Sequence, residues 1–465
     1  MSEKATFIES SRGKPLIIRD SYKYFLAYKL KSELSRWRCC LTTCQAVIYT
    51  DKNEEIVADE SHKNVHNHLP SPKKVNRQIV NNACKRKAID DLFSRPKKVI
   101  LKELGQSSAD CSNFDDTDIH KIRKNIYAAR QSLLPNLPKN VEEVHLTINN
   151  MDIKTTSEEQ FLLVNDDSKN VLIFSCYQNL KFLCESENIY CDGTFTYSAK
   201  HFNQMFTIHG FKNGHYIPVV FCLLVNKSTD TYINTFNHII LKCIELKLTI
   251  NPKSITIDFE QAIHDAVSIV WPDTLIVGCR FHLTQSWFRK IQNLGLVQYY
   301  KEKNSEIGSW IRNTFGLTFL SPQEVSKCFI EDFMSIIPND QRVSQYADYL
   351  TDTYISENSI FPPVIWAESS SSLSRTTNAC ESFHSHFKEN FYKEKPNIFM
   401  WLNIIKQTQT NIYCKMRSIH VPKKSKDYRA NKRRGAIDDA IIKLQNGEMS
   451  RYSFVAEMSY NYKKM

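Results

Sequence analysis

Ile189-Tyr190-Cys191-Asp192-Gly193-Thr194-Phe195 decides how the rest of the chain is read. It is a short apolar run that ends in an acid. Downstream, Gln204 to Phe211 and Tyr216 to Leu224 read as apolar strands, with Lys212-Asn213-Gly214 as a hairpin-like turn between them. Asp230 to Leu246 places Ile233, Phe236, Ile239, Ile240, Cys243 and Ile244 at helical spacing. Ser254 to Asp258 is a second strand ending in an acid, followed by a helix over Gln261 to Val270. A strand from Thr274 to Cys279 and a helix from Leu283 to Asn293 complete the pattern. The predicted order is three strands, helix, strand, helix, strand, helix, which is an α/β core. Leu172 to Cys176 and Phe182 to Cys184 are short apolar runs ahead of it. Residues 294–370 read as mainly helical, and 378–412 as helical with a break near Pro396.

The bulk composition frames this core. The chain has 465 residues, 42% hydrophobic and 24% charged, enough for two to four domains with buried interiors. Only 11 glycines are present, which argues against glycine-rich phosphate loops. The net charge of +11 favours a polyanionic partner, and nucleic acid is the usual one. The basic residues cluster. Residues 71–105 hold ten Lys/Arg against three acids, and residues 415–434 hold nine against one. Residues 1–15 are polar and carry both charges, unlike a secretory signal, and no apolar run is long enough to span a membrane. The 14 cysteines are therefore expected to be buried thiols or metal ligands, in a nuclear or cytosolic setting.

The first 70 residues read as short strands and turns. Within them Cys39 or Cys40, Cys44, His66 and His68 form a Cys2His2 set. Tetrahedral zinc takes soft or borderline ligands as two short-spaced pairs from separate loops. The alternative is two buried thiols and two surface histidines. Asp192 and Asp258 at strand ends and Glu381 near a helix start form a second set, of hard oxygen donors. Carboxylates converging from separate elements can hold the Mg2+ or Mn2+ pair of a phosphodiester-cleaving enzyme. Each of these acids could equally cap a helix or face solvent. Glu260 and Asp265 read as first-turn or surface charges, His384 and His386 as a solvated helix face, and Trp287 and Trp310 as core.

Two resemblances sharpen these readings. Residues 7–70 resemble a FLYWCH zinc finger: Phe7, Arg12-Gly13, Leu16, Tyr22-Lys23-Tyr24, Trp37-Arg38-Cys39, Cys44-Gln45-Ala46 and His66-Asn67-His68. The Trp-x-Cys pattern of that family favours Cys39 over Cys40 as ligand. Residues 186–400 resemble the transposase domain of Mutator-like elements. The matching motifs are Cys191-Asp192-Gly193-Thr194-Phe195, Ile257-Asp258-Phe259-Glu260-Gln261-Ala262 and Thr377-Asn378-Ala379-Cys380-Glu381-Ser382-Phe383-His384. They fall where that family has its catalytic Asp, Asp and Glu. The interval of 123 positions from Asp258 to Glu381 leaves room for a helical insertion, as the family has. Cys279-Arg280-Phe281-His282 matches the family's Cys-x-x-His element, which gives His282 an expected place near the carboxylates or the DNA.

These resemblances imply a multidomain α/β protein: a small β-rich zinc finger, then an RNase H-like catalytic core interrupted by an α-helical insertion. The expected division is 1–70 finger, 71–150 basic helical segment and linker, 151–283 first part of the core, 284–372 insertion, 373–412 core helix with the last acid, and 413–465 basic tail. The implied activity is that of a nuclear DDE transposase. It binds element ends as a dimer or larger assembly, with Zn2+ in the finger and Mg2+ or Mn2+ at Asp192, Asp258 and Glu381. Two rivals are a domesticated, catalytically silent DNA-binding or regulatory protein, and an interaction protein whose finger binds another protein.

Overall fold

The computed structural model describes residues 3–10, 13–30, 32–57, 65–106, 114–370, 377–421 and 428–460, with side chains in the last span from 431. Arg12 of the finger motif, most of the acidic linker (107–113), residues 371–376 and Lys423, Lys424 and Lys426 of the second basic stretch lie outside them. The chain forms two compact units, Met1–Leu137 and Pro138–Met465.

The first unit opens with seven strands: β1 (Glu3–Lys4), β2 (Thr6–Glu9), β3 (Pro15–Arg19), β4 (Tyr22–Lys29), β5 (Ser35–Cys39), β6 (Val47–Thr50) and β7 (Glu55–Val57). They make one antiparallel sheet in the order β1-β7-β6-β5-β4-β3-β2. One face buries Ile17, Tyr24, Trp37, Cys39, Ile48 and Ile56 as a single core, and the Trp37 indole N–H donates to Thr50 at 3.0 Å. Three helices follow, α1 (Pro72–Asp90), α2 (Pro96–Gln106) and α3 (Asp116–Gln131). Val80, Cys84, Ala88, Ile100, Ile122 and Ile126 close their core. The Asp115 side chain caps α3, and Arg130 donates to the carbonyls of Ala88 and Asp91 at the end of α1. The first helix of the basic stretch starts at Pro72, a residue suited to a first helical turn.

The second unit runs α4 (Val141–Asn149), β8 (Leu162–Asp166), β9 (Val171–Phe174), α5 (Tyr177–Cys184), β10 (Asn188–Thr194), β11 (Gln204–Lys212), β12 (His215–Leu224), α6 (Thr229–Glu245), β13 (Ser254–Ile257), α7 (Gln261–Val270), β14 (Leu275–Gly278) and α8 (Arg280–Asn293). From β10 onward this is the order of elements read in the sequence. The Phe182–Cys184 run proves to be the end of helix α5 rather than a separate stretch. The sheet order is β14-β13-β10-β11-β12-β9-β8, with β10, β13 and β14 parallel and the remaining neighbours antiparallel. Asn213 (φ 52°) and Gly214 (φ 81°) make the β11–β12 turn, the left-handed pair that a tight hairpin requires. A bulge at Pro218–Val219 interrupts that pairing at a residue with no N–H to give. The Val219 carbonyl instead accepts from Ser175 (2.7 Å) and Asn179 (3.0 Å).

The helical region, expected as an insertion, comprises α9 (Val297–Lys301), α10 (Glu306–Thr314), α11 (Pro322–Cys328), α12 (Gln341–Leu350) and α13 (Pro363–Trp366). Then come α14 (Asn378–Glu389), α15 (Ile398–Arg417), α16 (Tyr428–Gln445) and α17 (Arg451–Tyr460). The segment read as a basic tail thus carries two helices whose Ile437, Ala440, Phe454, Val455 and Met458 lie in the insertion's core, with Trp287, Trp310, Phe329 and Tyr346. Trp287 and Trp310 are core residues, as their helical setting implied. The contact is tight at Gly316, where an added Cβ would sit 1.9 Å from the Val455 carbonyl oxygen. A Gly316→Ala substitution must therefore push α17 away. We expect a loss of about 1–3 kcal/mol from the overpacked contact, read as a lower unfolding midpoint and earlier proteolytic release of the C-terminal helices.

Candidate metal centre and acidic site

In the finger, β5 ends at Cys39, the following turn carries Cys44, and the segment before α1 brings His66 and His68 back to them. The four ligand atoms lie within 4.8 Å of one another. Cys39 Sγ is 3.3 Å from His68 Nε2, Cys44 Sγ is 3.4 Å from His66 Nδ1, and the two nitrogens are 3.3 Å apart. Tetrahedral zinc with nitrogen and sulfur ligands has edges of ~3.3–3.8 Å. Cys40 is exposed while Cys39 is buried, so the ambiguity between the two thiols resolves to Cys39.

Outer contacts fix both imidazoles. Tyr24 Oη lies 2.7 Å from His66 Nε2, and Tyr22 stacks on the His66 ring at 3.5 Å. His68 Nδ1–H donates to the Leu69 carbonyl at 3.1 Å, leaving Nε2 for the ion. The Leu41 N–H donates to Cys39 Sγ. Burial, then the neighbouring His68, lowers the His66 pKa and favours the neutral, ligating form. The set fits Zn2+.

The acidic set is built on the second sheet. The parallel pairing of β10 with β13 puts Tyr190 opposite Thr256. Asp192, within β10, and Asp258, the first residue after β13, each follow two residues later and so lie at the same end of that pairing, with Asp192 pointing to one face of the sheet. That face is covered by α14: Asp192 pairs with Thr207, and both touch His384 of that helix. The next pair, Gly193 and Phe206, faces the other way, with Phe206 against Tyr232 and Phe236 of α6. Burial, with Glu260 and Asp192 adding to it against His282, holds the Asp258 carboxyl above the usual carboxylate range. Burial and the nearby Asp192 likewise push Glu381 up to about 7, against the opposing effect of His282.

His282 and Cys279 explain how α14 is placed. The Cys279 thiol accepts the Thr377 N–H at 3.2 Å and lies 3.0 Å from its hydroxyl; Thr377 is the cap of α14. One turn into α8, His282 Nε2 is 3.5 Å from Glu381 Oε1. Burial opposes the charge on His282, but Cys279 and then Asp192 and Asp258 outweigh it and lift its pKa to about 9. The Cys-x-x-His element thus clips the Glu381 helix to the end of β14 through two contacts.

His384 is a correction to the sequence reading. It was expected on a solvated face, yet its side chain is only 9% exposed and its Nδ1 lies 3.0 Å from Asp192 Oδ2. The Thr207 hydroxyl donates to the Asp192 carbonyl at 3.1 Å and so accepts from His384 Nε2–H at 3.0 Å. Asp192 Oδ1 takes the Gly193 N–H. The signal was available, because His384 follows Glu381 by three residues and therefore shares its helix face. His386 is exposed, as expected. Glu260, expected as a surface charge, pairs with Lys227 at 2.6 Å beside the acids. Asp192, Asp258, Glu260 and Lys227 line a pocket of about 20 Å3, room for a water-sized occupant.

The donor chemistry fits a hard divalent cation. Asp258 and Glu381 are desolvated carboxyls, and Glu381 Oε1 is buried without a hydrogen-bond partner. Among the described residues, however, no three of these donors lie within 4.8 Å of one another; only the finger set does.

Two outcomes follow from these contacts. Tyr24→Phe removes the acceptor beside His66, and zinc affinity measured by chelator competition should fall by about tenfold. Cys279→Ala removes the acceptor of the Thr377 N–H, at a cost of about 1–3 kcal/mol. Amide exchange over residues 378–382 should then speed up while the finger's amides are unchanged.

Two known families match parts of the chain. Residues 7–68 match the FLYWCH zinc finger domain, and residues 188–286 match the MULE transposase domain. Asp192, Asp258 and His282 fall inside the second match, and Glu381 lies beyond it. No curated protein matched the chain. The chain thus carries the domains of a transposase-related DNA-binding protein.

Proposed function

We propose that the protein is a DDE-type DNA transposase, which cuts element ends and joins the freed 3′-hydroxyl to target DNA. One observation carries the reading: Asp192 in β10 and Asp258 just past β13 lie at one end of a parallel strand pair, inside a transposase-domain match, with Glu381 held beside His282. The mixed sheet supports an RNase H-like core. Its β10-β11-β12 meander is extended on the β10 side by parallel β13 and β14, with β9 and β8 as additions at the far edge.

Asp192, Asp258 and Glu381 would hold Mg2+ or Mn2+, which when bound activates the attacking oxygen and stabilises the leaving one. His384, Thr207 and the Gly193 N–H orient the Asp192 carboxylate. His282, cationic at neutral pH, offsets the charge gathered at Glu381 and Asp258. Lys227 holds Glu260 away from the other acids. The excess of basic residues suits DNA as partner. A nuclear location, assembly on paired ends and the domain division set out above belong to the same proposal.

The test is nicking and strand transfer on plasmid and cognate-end DNA by the purified protein, with Mg2+ or Mn2+ against EDTA. Asp258→Asn and Glu381→Gln should each abolish metal-dependent breaks while DNA binding persists. A folded, DNA-binding protein with no breaks on cognate ends in either metal would overturn the enzyme in favour of a silent DNA-binding protein. The separation of the donors beyond 4.8 Å is what favours that second reading.

A further inference from the structure

The finger's sheet has two faces, and the core occupies only one. Cross-strand pairs in an antiparallel sheet point the same way. Phe25 pairs with Arg38, Tyr28 with Arg36, and Lys23 with Ile18. Arg36 and Arg38 are two residues apart on β5, so all of these side chains project from the face opposite Tyr24, Trp37 and Cys39. On that outer face Leu16 and Val47 are covered, whereas Phe25 and Tyr28 remain 40% and 51% exposed. The Arg36 guanidinium lies over the Tyr28 ring at 5.3 Å. Neither β4 (YKYFLAYK) nor β5 (SRWRC) contains an acid. Among the described residues no carboxylate pairs with Lys23, Arg36 or Arg38.

Single exposed rings are common on folded surfaces, but rings set among unneutralised cations make a patch suited to an interaction. Rings alternating with unneutralised guanidinium groups match a nucleic acid, whose phosphates take the charges while base or sugar faces cover the rings. We infer that the outer face of β4 and β5 is a DNA-docking surface, with Lys23, Arg36 and Arg38 on phosphates and Phe25 and Tyr28 against bases or sugars. This rests on the reading of the chain as DNA-binding and assigns that binding to one face of the finger. The zinc set lies on the opposite face, through Cys39, so the ion would brace the sheet without touching the DNA.

The experiment uses the full chain loaded with zinc and a short random-sequence duplex, with affinity followed by fluorescence anisotropy across a salt series. The double variant Arg36→Gln/Arg38→Gln should lower the slope of log affinity against log salt by about 2, one unit per lost phosphate contact. Phe25→Ala should weaken binding several-fold at every salt concentration and leave the slope unchanged. Zinc stoichiometry and the circular dichroism spectrum verify that each variant is folded. If folded, zinc-loaded variants bind with the parent's affinity and slope, this face is not the docking surface, although the protein still binds DNA. If the parent itself shows no salt-dependent affinity, the DNA-binding reading falls together with the surface.

Discussion

The parallel pairing of β10 with β13 is the constraint on which the second unit depends. A parallel neighbour needs a crossover, and α6 supplies it by burying Tyr232, Phe236 and Ile239 against the sheet. Its register then brings two acids to one end of the pairing, Asp192 within β10 and Asp258 just past β13. A slip of one residue would offset them along the strands. The flanking Ile189 and Ile255 are fully buried and oppose such a slip. Hydrophobic packing therefore fixes the relative position of two charges that would otherwise repel.

Around that pair two imidazoles meet carboxylates, while Lys227 pairs with the neighbouring Glu260. His384 meets Asp192 and His282 meets Glu381, each from a different helix. An imidazole is compact, and His384 is anchored at both ring nitrogens, so it holds the Asp192 carboxylate in place. The finger uses the same device differently: there the histidines face thiols, and their outer nitrogens are held by Tyr24 at His66 and by the Leu69 carbonyl at His68.

The strand and helix order of the core was legible because its periods are clean and its turn carries Asn213-Gly214. The finger's ligands were legible from spacing, and the choice of Cys39 needed burial, which sequence does not show. His384 was missed because it was judged by polarity rather than by its distance from Glu381 along the helix. The role of Cys279 was not legible at all. Its partner Thr377 lies 98 residues away, and nothing local marks that contact. The first of the two C-terminal helices was hidden for a similar reason, since its many Lys and Arg residues mask the few apolar positions, Ile437 and Ala440 among them, that are buried.

That last packing has a consequence for how the chain acquires its structure. The insertion's core spans from Leu283 to Met458, and Gly316 meets Val455 across 139 residues. During synthesis the sheet from β8 to β14 can close before the insertion is complete, because its strands are all made by residue 278. The insertion stays open, with Trp310 and Phe333 lacking their cover, until α17 has left the ribosome. A chain shortened by its last helix would thus keep every acid and every zinc ligand, yet leave an apolar surface that invites aggregation.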